Sequence, residues 1–326
     1  MMRRLLTLFV ILVVLAGMAG VGAGLWLKSS FEAPTQTQSD KVIVIERGSS
    51  VASIARQLQA DGLIRYARVF RFGVRFLTDP KPLQAGEYRI PENASAADIA
   101  AILKSGIQVV HKTTIAEGLT SIEIVDLLRD EPLLSGDIEG VPPEGSLLPE
   151  TYHYHRGETR AEVLRRMQVA QEELLDDLWD ARADDLPISS PQEALILASI
   201  VEKETSVHAE RGLVAGVFVN RLKKGMRLQS DPTVVYGITN GAGPLGRPLR
   251  RSELDAKTAY NTYQIDALPP TPIANPGRAS IAAVLNPTAT DALYFVADGT
   301  GGHAFAKTLD EHNRNVRAWR KLQRAN

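Results

Sequence analysis

From Leu5 to Leu27 the chain carries no charged residue over 23 positions, with Arg3 and Arg4 before the run and Lys28 directly after it. As a helix rising 1.5 Å per residue such a run spans about 34 Å, enough to cross a bilayer core of about 30 Å. The paired arginines on the N-terminal side place that end in the cytoplasm, so everything after Lys28 faces outward. Small residues between Ala19 and Ala23 leave a cleaved signal peptide as the alternative. The run is long for a signal segment and stays apolar through Leu25, Trp26 and Leu27, which favours an uncleaved anchor. No second run of comparable length follows, so the expectation is a single-pass protein of the cytoplasmic membrane with one large extracytoplasmic part.

The 326 residues suffice for two domains, and 37 basic against 38 acidic residues leave no global basic field to attract nucleic acid. Cysteine is absent, which excludes disulfides, thiolate metal sites and a lipid-modified anchor cysteine. Residues 1–28 read as cytoplasmic tip and anchor, and the polar, Pro-containing stretch 29–40 as a linker.

Beyond the linker lies a weak repeat. "IERGSSVASIARQL" (45–58), "IPENASAADIAAIL" (90–103) and "IAEGLTSIEIVDLL" (115–128) align without gaps. Each passes a turn, reaches a capping hydroxyl at Ser50, Ser95 or Thr120, and sets Ile and Leu four and eight residues on. The unit is strand, capped turn, amphipathic helix, and the fold class is α+β. The first unit resembles half of a LysM-type glycan-binding module; a spacer or partner surface remains the alternative. The division expected is a small LysM-like α+β subdomain over 41–110 and a larger α+β catalytic domain over 111–326.

The stretch "ALILASIVEKETSV" (194–207) opens a chemical question, because two glutamates end an almost wholly apolar run. Ser190 reads as the N-cap, Pro191 as the first helical residue and Glu193 as the capping-box partner. At 100° per residue, Leu197, Ile200 and Val201 fall at about +20°, −40° and +60° from Glu204, whereas Glu202 falls about 160° away. Glu204 thus continues the apolar stripe, where desolvation favours the neutral carboxyl that a general acid requires, and Glu202 reads as the solvated helix end. Composition alone still permits a Glu204 that curls out to water.

Residues 221–237 and 258–277 are rich in polar side chains, aromatics and turns, which suits the walls of a groove for a polar polymer. Gln229, Asp231 and Asn261 are candidates to bond sugar hydroxyls, and Tyr260 and Tyr263 to stack on sugar faces. Glu150 is a further candidate contact, and with Asp231 a candidate second carboxylate. His153 and His155 lack a third ligand for a metal site, and His303 reads as a loop hydrogen-bonder. The reading needs neither metal nor cofactor.

"ASIVEKET", "GMRLQSDPTVVYG", "AYNTY", "LPPTPIANPG" and "YFVADGTGGHAF" occur in this order. Together they resemble the YceG-like (MltG type) family of membrane-anchored endolytic murein transglycosylases, from about Lys41 nearly to the C-terminus. Thr271 departs from the pattern, where many members carry Gly. The resemblance implies cleavage of nascent peptidoglycan glycan strands near the membrane, with possible synthase partners. It also implies Glu204, followed by Thr205, as the single acid and base that forms a 1,6-anhydro end without water. A hydrolytic muramidase and a non-catalytic glycan-binding scaffold are the competing expectations.

Overall fold

A computed structural model describes residues 2–325. The chain divides into two compact units, Met1–His111 and Lys112–Asn326.

The first unit begins with α1 (Met2–Glu32), followed by β1 (Lys41–Ile45), α2 (Val51–Ala60), α3 (Ala67–Phe76), β2 (Gly86–Ile90) and α4 (Ala96–Ser105). β1 and β2 pair antiparallel, with Ile43 opposite Tyr88. Their inward residues join Ile54, Leu58, Phe70, Ile99 and Leu103 in one core. α1 is long and apolar enough to cross a membrane. It does not stop at Lys28: the helix continues through the first residues of the expected linker and buries Phe31 in the core, 2% exposed. Phe31 fits because α3 presents Gly73 to it, where a Cβ would lie 2.4 Å from the ring.

The second unit holds β3 (His111–Thr114, beginning at the boundary residue), α5 (Ser121–Arg129), β4 (Thr151–Tyr154), α6 (Arg160–Asp180) and α7 (Pro191–Glu204). A 3-10 turn at His208–Glu210 leads to α8 (Arg211–Lys223), α9 (Asp231–Thr239), α10 (Arg251–Asp255) and α11 (Arg278–Leu285). The chain closes with β5 (Tyr294–Ala297), β6 (His303–Ala306) and α12 (Leu309–Ala325). β3 pairs with β4, and β5 antiparallel with β6, setting Ala297 opposite His303. With its small sheets among many helices the fold is α+β.

All three repeats form the expected unit. Ser50, Ser95 and Thr120 each accept a backbone N–H three residues on, and Ile54/Leu58, Ile99/Leu103 and Ile124/Leu128 are buried. Ser190 caps α7 as read, but Glu193 bonds the backbone and hydroxyl of Ser189, one residue outside the expected box. The eight residues Ala194–Val201 are all buried, because α7 runs through the middle of a core shared with α8 and α11. A helix apolar on every side belongs in such a position.

Candidate active site

α7 leaves the core at Glu204, and Thr205 ends it by adopting extended backbone (φ −141°, ψ 131°). Glu204 is half-buried, and desolvation of its carboxyl raises its pKa above the ordinary carboxylate range. The negative charge of Asp231 pushes in the same direction, while a hydrogen bond from Ser230 and the charges of His303 and Arg221 oppose it.

Ser230 occupies the N-cap position of α9, yet its hydroxyl makes no capping bond. It donates instead to Glu204 Oε1. Gln229, in the left-handed region at φ +54°, turns the chain into this position. Two bonds then fix it: Gln229 N–H to the carbonyl of Thr262 (3.1 Å) and Ser230 N–H to Thr262 Oγ1 (2.9 Å).

Three further groups complete the cluster. Asp231 accepts from the Tyr263 hydroxyl at 2.7 Å, and that bond, after burial, keeps the phenol protonated well above its usual range. Arg221 is buried and donates to the carbonyls of Leu293 (2.6 Å) and Leu228 (2.7 Å), with its guanidinium 5.2 Å from the centre of the Tyr294 ring. His303, on β6, is held by Glu210 through ring Nδ1 (2.7 Å) and backbone N–H (3.0 Å).

Among the expected groove residues, Gln229 and Asp231 are exposed beside Glu204's hydroxyl partner. Asn261 is different: it is fully buried, and its amide donates to the carbonyls of Glu253, Leu254 and Ala256 while its oxygen accepts from Tyr263 N–H. Its role is to close the end of α10 and set Tyr263, not to bond a sugar hydroxyl. Tyr260 is half-buried, its ring 5.0 Å from that of Tyr236 at a tilt of 54° and its hydroxyl 2.7 Å from Thr271 Oγ1, so it is already packed and hydrogen-bonded within the protein. Thr271, the departure from the family pattern, therefore supports a tyrosine. Glu150 is exposed just before β4, where its carbonyl accepts from Ile115, and it does not join the Glu204 cluster.

Glu202 is not a solvated helix end. Its side chain is 5% exposed, accepts from Arg211 Nη2 at 3.0 Å and from Gly277 N–H at 3.0 Å, and shares Arg211 with Glu117 (2.8 Å). Glu144 is another carboxyl raised by burial, but Ser121, Asn275 and Tyr236 occupy its oxygens. Of the residues that act on Glu204, sequence reading missed Ser230 and Arg221, and saw only the hydrogen-bonding half of His303. Serine before Asp-Pro reads as an ordinary helix cap, and Arg221 as one of several charged residues closing α8; neither pattern announces a tertiary partner.

The chain matches the YceG-like family over residues 43–318. A Bacillus subtilis (strain 168) protein named endolytic murein transglycosylase is 32% identical to it, over 90% of this chain and 89% of that protein. A Streptococcus pneumoniae (serotype 2, strain D39) protein of the same name is 28% identical over 87% of this chain, which spans only 59% of that longer protein. The crystal structure of a yceG-like protein from Listeria monocytogenes, lmo1499, superposes with a TM-score of 0.51 at 30% identity, covering 84% of this chain and 98% of that one. Since the matched segment covers most of both compact units, though not α1, and every residue of the Glu204 cluster, the chain belongs to the YceG-like family.

Proposed function

We propose that this chain is a membrane-anchored endolytic lytic transglycosylase, cutting the bond between N-acetylmuramic acid and N-acetylglucosamine in nascent peptidoglycan strands, with Glu204 as acid and base. One observation carries the reading: a carboxyl held toward its neutral form by burial at the end of the core helix, with the Ser230 hydroxyl as its donor. The activity named for the relatives supplies the substrate class.

The neutral carboxyl protonates the glycosidic oxygen as the bond to the anomeric carbon breaks. The carboxylate left behind accepts the Ser230 hydrogen bond more strongly than the acid did. It then takes the proton of the sugar's own 6-hydroxyl, whose oxygen closes onto the anomeric carbon. The product is a 1,6-anhydro end, the proton returns to Glu204, and no water is consumed. Asp231, carrying negative charge beside Glu204, favours both the reprotonation and the positive charge that develops on the sugar. Gln229 and Tyr263 are the proposed contacts to the strand.

Hydrolysis of the same bond is the second reading, since Asp231 stands close enough to Glu204 to act on its charge and is the candidate for a water-activating base. Digesting purified peptidoglycan sacculi and weighing the glycan ends separates the readings. Anhydro ends are expected, reducing ends would establish hydrolysis, and intact strands would leave a glycan-binding scaffold.

The remaining assignments belong to the same proposal. α1 anchors the chain with its N-terminus in the cytoplasm, supported by Arg3 and Arg4, and the rest is extracytoplasmic. Residues 41–110 form a LysM-like subdomain, supported by the order β1-α2-α3-β2 with its antiparallel strand pair. Residues 111–326 form the catalytic domain, and peptidoglycan synthases are the partners that would supply its strands.

A further inference from the structure

The chain as a whole is nearly neutral, yet from Arg47 to Thr78 it holds six arginines and a single acid, Asp61. α3 closes this segment and has two distinct sides. Val69, Phe70 and Gly73 face the core, while Arg68, Arg71, Phe72, Arg75 and Phe76 are exposed. Arg56, Arg65, Arg68 and Arg71 make no ion pair among the described residues, and Arg75 lies over the Phe76 ring at 5.1 Å.

This face lies where the apolar part of α1 ends. The Trp26 ring is 6.1 Å from that of Tyr66, and Phe31 packs on Phe70 at 6.4 Å, so α3 is held against the last turn of the apolar run and the turn that follows it. An open cavity of about 760 Å³ is lined by Trp26 and Leu27 together with Arg56, Arg68 and Arg71. A second, of about 810 Å³, gathers Arg68, Arg71, Arg75 and Lys81 with one acid, Asp79.

Tryptophan and tyrosine favour the level of lipid headgroups, guanidinium groups bind phosphate through paired N–H donors, and a short helix mixing arginine with exposed aromatics suits the interface plane. We propose that the outward face of α3, with Arg56, docks on anionic phospholipid headgroups around the emerging end of α1, lipid phosphates entering the cavity between Trp26 and Arg68/Arg71. The inference rests on the anchored reading of α1. Lipid fits this face better than the other occupants do. An acidic peptide would satisfy the arginines and leave Phe72 and Phe76 in water, and a second copy would set arginine against arginine.

The test is hydrogen exchange on the full chain in nanodiscs of phosphatidylcholine, with or without phosphatidylglycerol. Phosphatidylglycerol should slow exchange across residues 66–76 severalfold, leave α4 unchanged, and lose its effect in 0.5 M salt, where screening shortens the reach of charge to about 4 Å. The variant Arg68→Gln/Arg71→Gln/Arg75→Gln should abolish the slowing while α4 exchanges as before, which shows the fold intact. Equal exchange in both discs overturns the proposal, as does slowing that survives in the variant. Slowing reproduced in phosphatidylcholine discs by soluble glycerol phosphate would mean a free phosphate-ester site, and slowing that tracks the number of chains per disc would mean self-association; either also overturns it. A chain that fails to stay with the discs refutes the anchor itself, an outcome distinct from all of these.

Discussion

Glu202 and Arg211 form a buried ion pair at 3.0 Å, with side chains 5% and 10% exposed, only two residues from the proposed acid. Breaking such a pair from one side strands a charge, at a typical cost of about 3–5 kcal/mol. Arg211 keeps Glu117 at 2.8 Å, so Glu202→Ala should fall at the lower end, about 3 kcal/mol, read from urea denaturation. An unchanged midpoint would mean the pair contributes nothing to the fold.

Glu204→Gln should behave in the opposite way. Turnover should drop by at least about 10²-fold, the usual contribution of a general acid–base group, with the fold intact. The raised pKa of Glu204 also sets a sign for stability. A carboxyl whose folded pKa lies above its unfolded value contributes stability below the unfolded value and loses it as pH rises through the folded one. The Gln variant should therefore gain stability relative to the parent as pH rises through the folded pKa, and show the smallest gain in acid. Melting curves across pH read this directly; a gain largest in acid would reverse the assignment.

Ser230→Ala removes a hydrogen bond that lowers the Glu204 pKa. The alkaline limb of the pH–rate profile, set by loss of the acid's proton, should move to higher pH. A profile that merely scales down would show that Ser230 does not bear on that proton.

Asn261→Ala should cost about 1–2 kcal/mol, because it takes a buried donor from the carbonyls of Glu253 and Ala256, while Gln264 still serves that of Leu254. Gln229→Ala, at an exposed position, should lower turnover and leave the melting temperature within a few degrees. Paired thermal melts and glycan-end counts distinguish the two; a stable Asn261→Ala with poor turnover would return that residue to the groove.

The local part of this structure was legible in the sequence because local chemistry decides it. Ser50, Ser95 and Thr120 cap their helices with bonds to residues three positions away, which spacing alone exposes. The apolar run foretold a helix, but not that α1 would continue to Glu32, because Phe31 is held by tertiary contact with α3. The angular argument marked Glu204 as the desolvated carboxyl, which it is, but the groups that act on it are polar ones, Ser230, Asp231, His303 and Arg221, and not an apolar surface. It failed for Glu202, since α7 is buried on every side and the angle from an apolar stripe no longer separates inside from outside. What separates the two glutamates is Arg211 and Gly277, reached through the fold. Asn261 was misread for a similar reason: an amide that bonds sugars and an amide that closes a loop look alike until the carbonyls around it are known.

The proposed acid is the last residue of a helix whose preceding eight-residue stretch is wholly enclosed, rather than a passenger on a surface loop. Its position is therefore inherited from the least deformable material in the molecule. Warming should leave the geometry of the carboxyl nearly constant until the interior itself gives way, so activity would rise smoothly with temperature and then collapse together with the near-ultraviolet signal of the folded core. Cold adaptation of such an enzyme would have to act on the segments around Gln229 and Tyr263, the proposed strand contacts, because softening α7 would misplace the proton.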